Sequence, residues 1–307
     1  MTLPRPVALL DSTNASELPA QSVSPTRKPD HSAHREALII EPAGRFPKLG
    51  VRELWSYRGL LVFLVWRDLK VRYAQTVLGA AWAIIQPVLT MVIFTVVFGR
   101  FAKVPSDGVP YPVFSLAALV PWTYFSTAFA GASNSLVTSS NLITKIYFPR
   151  LVIPFAPVVG GLVDFVIAFV ILLLTLAVYR IVPSPTAILL IPVLVASMVL
   201  TSAGVGCWLA ALNIKFRDIK YVVPFLVQIW LYASPVAYPM SVVPARFRLL
   251  YALNPMAGVI EGFRTVLLHT GAIPWPMIAF SLFSGVVLFV TGVFYFRSTE
   301  RVFADVA

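Results

Sequence analysis

Six long apolar stretches divide this chain, at roughly Val77–Phe98, Val113–Val137, Leu151–Tyr179, Ile188–Leu212, Tyr221–Tyr238 and Pro276–Phe296, and the clusters of positive charge fall between them. A bilayer core accepts a helix of about 20 apolar residues and penalises charge within it, because every backbone polar group there must be satisfied inside the segment. The pattern predicts an all-α polytopic membrane protein with six transmembrane helices. Two regions break it. Residues 1–48 are rich in Pro, Ser, Thr and Ala, lack the apolar run of a secretory signal, and read as a disordered cytoplasmic tail ahead of a membrane domain at 49–307. The segment Arg52–Tyr73 is mixed, and its longest uncharged stretch, Gly59–Trp66, covers only about 12 Å as a helix. With Arg58, Arg67, Lys70 and Arg72 beside Trp55, Trp66 and Tyr73, it predicts an amphipathic interface helix lying in the headgroup layer. Within it, Asp68 and Arg72 have the i,i+4 spacing of an intrahelical pair.

An even number of spans returns both ends of the membrane domain to one side. With that side cytoplasmic, the inner segments hold fourteen Lys and Arg and the outer segments six: Arg100, Lys103, Arg180, Arg246, Arg248 and Arg264. The positive-inside rule then puts both termini in the cytoplasm. Prolines at 87, 121, 154, 157, 192, 224 and 235 invite kinks. Gly160-Gly161 and Gly204-x-Gly206 permit close helix packing.

Two connections are unusual. The inner one, Ser139–Arg150, reads as a short helix capped by Ser140 or Asn141 and stopped by Pro149, with Leu142, Ile143, Ile146 and Tyr147 as an apolar face beside Lys145 and Arg150. That is a handle for a cytoplasmic partner, with Asn213–Tyr221 as a smaller one on the same side. The outer connection, Pro239–Trp275, reads as two short helices. The second has Asn254 as N-cap, Pro255 at its first position, Met256–His269 as body and Gly271 as terminator, with Glu261 and Arg264 spaced to pair. Too apolar for a solvated loop and too short to cross beside the bundle, it predicts a re-entrant helical hairpin between spans five and six.

Composition sharpens this picture. The chain is 58% hydrophobic and 12% charged over 307 residues, against about 25% charged in soluble domains. Its net charge of +11 sits in the connections, so it speaks for lipid headgroups and topology and not for nucleic acid. The sole cysteine, Cys207, excludes an internal disulfide. Asp164 is the one charge deep in a span, and without an intramembrane His, Lys, Arg or Glu it makes a poor ion relay. His31, His34 and His269 are scattered, which argues against a metal site and against a membrane enzyme. No G-x-x-x-x-G-K-[S/T] loop is present, so this chain carries no cofactor, and ATP hydrolysis, if used, belongs with its ATP and Mg to a partner subunit.

Several stretches, in this order and spacing, resemble the membrane permeases of ATP-binding-cassette exporters for polysaccharides and polyol phosphates. They are Val65-Trp-Arg-Asp-Leu-Lys-Val-Arg-Tyr73 running into Thr76–Trp82 and Gln86-Pro87, then Leu142-Ile-Thr-Lys-Ile-Tyr-Phe-Pro-Arg150, then Leu212–Lys220, and last Ser234-Pro-Val-Ala-Tyr-Pro239 followed by Leu253–Gly258. Within that family the branch that exports O-antigen from Gram-negative bacteria is the most similar. The resemblance implies a homodimer in the bacterial inner membrane, two cytoplasmic nucleotide-binding subunits, and a lipid-linked polysaccharide as cargo. It makes Asn141, Leu142, Ile143, Lys145, Ile146, Tyr147, Phe148 and Arg150 a coupling helix to the ATPase. It makes Ser241–Gly271 an outer gate, with Arg246, Asn254, Pro255, Glu261 and Arg264 as its residues. Trp82, Trp122, Tyr124, Phe125, Trp230, Tyr232 and Tyr238 lie in or near spans one, two and five, where aromatic faces can stack on sugar rings. Arg58, Arg67, Arg72 and Arg264 have the guanidinium forks that match a lipid diphosphate. Other readings of the same pattern are an exporter of small lipids or drugs and an ion-coupled flippase dependent on Asp164.

Overall fold

A computed structural model of the chain describes residues 55–74, 81–140, 142, 148–216 and 218–300. The predicted tail at 1–48 lies outside them. The described residues form α1 (Arg58–Ala74), α2 (Trp82–Phe94, continued by a π-helical segment Thr95–Phe101), α3 (Tyr111–Thr138), α4 (Val152–Val178), α5 (Ala187–Lys215), α6 (Ile219–Tyr232), α7 (Ala245–Tyr251), α8 (Pro255–Leu268) and α9 (Trp275–Thr299), and they include no strand.

Five helices are long and apolar enough to cross a bilayer: α2 with its π continuation, α3, α4, α5 and α9. The remaining predicted span, Tyr221–Tyr238, behaves differently. Its helix α6 has 14 residues, about 21 Å of rise against a hydrocarbon core of about 30 Å. Pro235 explains the early stop, since a proline disfavours helical dihedrals at the residue before it and has no N–H to donate.

Helix α3 is the centre of the bundle, buried along most of its length, whereas no residue of α2 is buried. Helix α5 is wedged between α3 and α9 by two glycines. A Cβ on Gly204 would lie 2.6 Å from the Leu288 carbonyl oxygen of α9, and one on Gly206 would lie 2.5 Å from Ala132 Cβ of α3. Two positions apart is about 200° around a helix, so the pair frees opposite sides of α5.

The contacts of α1 follow α4 lengthwise. Leu64 packs with Val152 and Ala156, Val65 reaches the Cβ position of Gly160 at 3.7 Å, and Arg72 and Tyr73 bond Asp164. The two helices therefore climb in the same direction, and α1 ends beside the midpoint of α4. The register of this predicted interface helix on α4 brings its last turn, with Arg72 and Tyr73, level with Asp164.

The bundle has two distinct ends. At one, Arg150 Nη1 donates to the Glu300 carbonyl (2.6 Å), Arg297 pairs with the Glu300 carboxylate (3.2 Å), and Asn213 Nδ2 ties α5 to Ser133 and Asn134 of α3 at 3.0 Å each. At the other, the Ser184 N–H donates to Val266 O (2.8 Å), His269 Nε2 meets Val182 O (2.8 Å), and Ser241 Oγ donates to Asp107 Oδ1 (2.8 Å). Helix α8 ends at Leu268, because His269 adopts the left-handed conformation (φ 56°) that terminates helices. The expected terminator Gly271 lies past the end.

Candidate translocation site

The break after α6 is held by α8. The buried turn that follows α6 has backbone carbonyls without a helical partner, and no backbone N–H among the described residues supplies them. Arg264 does: Nη1 donates to Pro235 O (2.6 Å) and Tyr238 O (3.0 Å), Nη2 to Val236 O (2.7 Å), and Nε to Phe114 O (3.4 Å). Its guanidinium lies 3.6 Å from the centroid of the Phe114 ring, and the side chain is 1% exposed. The expected Glu261–Arg264 pair is absent from the ion pairs among the described residues, because the guanidinium is occupied by the broken helix end. The same occupation and burial remove Arg264 from the candidates for a lipid phosphate.

Asn254 is the second tie. Its Oδ1 caps α8 by accepting from the Met256 N–H (3.0 Å), as expected, and also accepts from Trp230 Nε1 (2.9 Å). Its Nδ2 donates to Ala233 O (2.9 Å) and Ser234 Oγ (3.0 Å), so one side chain starts α8 and closes α6. Pro255 occupies the first turn of α8, buried. Tyr238 donates to Tyr232 O (3.0 Å) and bonds the Tyr251 hydroxyl. Arg246 is exposed and lies over the Phe247 ring at 4.7 Å.

The aromatic candidates differ in burial, with Trp230 and Tyr238 half-buried between two extremes. Trp122, Tyr124 and Phe125 are buried in the chain's own core. Phe125 stacks on Phe129 at 5.7 Å and takes the edge of Trp230 at 4.9 Å, while Tyr124 donates to Val158 O at 3.1 Å. These three are packing residues, and sequence alone did not separate them because core and path both favour large rings in apolar helices. Trp82 and Tyr232 are exposed, at 52% and 63%. Tyr232 continues a stripe on α6 that sequence reasoning missed, formed by Tyr221, Phe225 and Ile229, all exposed. Its signal was present as steps of four, four and three along a helix.

Beside Trp82, a cavity of about 290 Å³ opens between α1, α2, α3 and α4, with Arg72, Tyr73, Gln86, Thr123 and Asp164 among its polar walls. Arg72 and Tyr73 both donate to Asp164. Asp68 pairs with its neighbour Arg67 at 2.8 Å. The expected Asp68–Arg72 pair gives way to a carboxylate 92 positions on in the chain. Of the arginines suited to phosphate, Arg58 is exposed and donates to Trp55 O (3.4 Å), whereas Arg67 and Arg72 each hold a carboxylate.

Of the expected coupling residues, Asn141, Ile143, Lys145, Ile146 and Tyr147 lie outside the described residues, and Leu142 is helical. Phe148 is buried with Leu136, Cys207, Val293 and Phe296, so its ring serves the bundle and is turned away from any cytoplasmic face. Arg150 is half-buried against Glu300.

Five long apolar helices packed as one bundle, with the short helix α6 and helices α7 and α8 tied to its end, define a multi-pass membrane protein. Residues 59–268 match the ABC-2 type transporter family, and the chain belongs to that family. It is 33% identical over 259 residues to an O-antigen export system permease protein, RfbA, of Myxococcus xanthus, covering 83% of this chain and 98% of that one. It is 29% identical to the protein of the same name in Klebsiella pneumoniae, over 80% and 94% of the two chains. The polysialic acid transport protein KpsM of Escherichia coli is 23% identical over 64% of this chain and 76% of its own.

Proposed function

We propose that this chain is the membrane subunit of an ATP-driven exporter that moves a lipid-linked polysaccharide of the O-antigen type across the bacterial inner membrane. The observation that carries this reading is the match to a relative named an O-antigen export permease over 98% of that relative's length. The weaker match to a polysialic acid transporter extends the substrate class to long glycans in general.

In this reading α6, the turn after it and the α7–α8 hairpin together make the fifth of six crossings, and α9 makes the sixth. The hairpin end of the bundle faces outward, both termini face the cytoplasm, and the hairpin is the outer gate. Two copies face one another across α2 and α6, whose exposed stripe of Tyr221, Phe225, Ile229 and Tyr232, with Trp82, lines the path. Broad aromatic faces suit a polymer, since they stack on sugar rings without demanding one pattern of hydroxyls. The guanidinium N–H groups of Arg72 beyond its bond to Asp164, together with Arg58, receive the lipid diphosphate. Residues 141–150 couple to one ATPase per copy, beneath the end that carries Arg150, Lys215 and Arg297. Closure of the ATPases biases the dimer toward an open path by binding one arrangement of these ends more tightly than the other.

The decisive experiment co-purifies the full chain with the ATPases of its host. We expect a stoichiometric ATPase that is released by Tyr147→Ala or Lys145→Glu, with surface glycan lost in the same strains. Phe148 is unsuitable for this test because its burial makes any substitution a stability change as well. A folded permease that retains no ATPase in mild detergent, with export that survives ATP depletion and fails in Asp164→Asn, overturns the proposal in favour of an ion-coupled flippase.

A further inference from the structure

A second cavity, of about 360 Å³, opens at the hairpin end between the loop before α3, the segment joining α6 to α8, and the start of α9. Its polar lining is Asp107, Ser241, Arg248, Glu261, Thr265 and Thr270, above an apolar floor that includes Met240 and Met277. Asp107 and Arg248 stand at an exposed rim. Asp107 Oδ1 accepts from Ser241 Oγ at 2.8 Å, and Arg248 Nε donates to Val243 O at 3.0 Å, so both walls are fixed while each keeps polar atoms to offer. Deeper in, Glu261 Oε2 and Thr270 Oγ1 are buried with no hydrogen-bond partner. A buried carboxylate oxygen and hydroxyl left unmet cost free energy, and a ligand that meets them recovers it. Arg264, the cation nearest in sequence on α8, gives its donors to the 235–238 turn and to Phe114 and leaves Glu261 unmatched.

We infer that this cavity is a binding subsite for one uncharged sugar residue, held by donation of its hydroxyls to Glu261 and Asp107 and by acceptance from Arg248 and Thr270. A sugar supplies adjacent hydroxyls that both donate and accept, which a lining of two carboxylates, one guanidinium and three hydroxyls requires. Its C–H face suits the methionine floor. Arg248 is balanced by the Asp107 carboxylate at the same rim, and Arg264 has committed its donors to backbone carbonyls, so the cavity has no guanidinium to spare for a uronic or sialic acid and discriminates against acidic glycans. The volume fits a single residue of a chain rather than a polymer segment. The inference rests on the exporter reading for the source of the sugar and for the outward direction of this end. It adds a place where an emerging glycan is held beside the gate, away from the aromatic stripe of α6.

The test uses the full-length chain in lipid nanodiscs with Ala272→Cys, at an exposed position of the cavity wall that gives the sugar no hydrogen bond, the native Cys207 being buried inside the bundle. The rate of modification by a small polar methanethiosulfonate is measured with and without maltotriose, mannotriose, N-acetylated chitotriose or trigalacturonic acid, each in large excess. At least one neutral trisaccharide is expected to slow labelling on the order of tenfold, as it does at a free concentration about ten times its dissociation constant. Trigalacturonic acid is expected to give no protection, and Glu261→Ala to abolish the protection by the neutral sugar. Asp107→Asn, on a surface loop, reports the same loss should Glu261→Ala fail to fold. Equal labelling with every sugar, protection by the acidic trisaccharide, protection indifferent to both variants, or an introduced thiol closed to the reagent would each overturn the inference. Neither an ATPase nor transport enters this measurement, so loss of export with protection intact faults the exporter reading alone.

Discussion

A guanidinium taken out of water loses hydration worth several kcal/mol unless its donors are all met, and Arg264 meets that demand with backbone carbonyls and not with an acid. Arg264→Met should leave the carbonyls of Pro235, Val236 and Tyr238 without partners, at about 1–3 kcal/mol each. We expect a large fall in the unfolding temperature in detergent, little recovery with Arg264→Lys, whose ammonium cannot fork to several carbonyls, and no change with Arg246→Met on the exposed face of the hairpin. The Arg72–Asp164 pair is a milder case, since its side chains are 47% and 31% exposed. A double-mutant cycle with Arg72→Ala and Asp164→Ala should return a coupling of about 0.5–1 kcal/mol, and a value indistinguishable from zero would show that the pair is incidental. These residues also mark the limit of reading partners from sequence. Within one helix, spacing offers Glu261 to Arg264 and Asp68 to Arg72. The partners actually taken are 26 to 29 positions away for Arg264 on the 235–238 turn and 92 away for Arg72, and only the packed chain brings them near.

Among the elements, the long helices were legible to within a few residues, because exclusion of charge over a bilayer's width is a strong and local signal. Places where one residue overrides that signal were not. Pro235 ends α6 in the middle of an apolar run, His269 ends α8 ahead of the glycine that looked better suited, and Phe148 turns from the expected coupling face into the core. The glycines of α5 were readable as small-residue packing, but not which helix each one admits. Gly204→Ala should push α5 away from the α9 backbone at a cost of about 1–3 kcal/mol, visible as a lower unfolding temperature and a broadened gel-filtration peak. Gly59→Ala in α1, where a Cβ would meet nothing within 4 Å, should be neutral. Equal tolerance at the two sites would refute the close α5–α9 approach.

At the scale of the whole molecule, burial separates the aromatic residues that hold the bundle from those that meet something outside it. Phe125→Ala should destabilise the fold by about 3–5 kcal/mol. Tyr232→Ala should leave unfolding unchanged and lower the surface glycan measured on intact cells. A cysteine in place of the exposed Phe225 should form a cross-link between copies if α6 lines a shared path; failure to cross-link at 225 and along the rest of the stripe would leave α6 facing lipid. The class of protein was thus readable from the chain, whereas the division of labour among its rings required the packing. The tie between Arg264 and the turn after α6 also sets an order of manufacture. The turn leaves the ribosome 26 to 29 residues before the side chain that completes it, so a nascent chain halted ahead of α8 holds a short helix with no finished end. Such an arrested chain should leave a cysteine substituted for Ala237 open to thiol reagents, and extension past Leu268 should close it, so the open turn marks a truncated permease for disposal before α9 has been made.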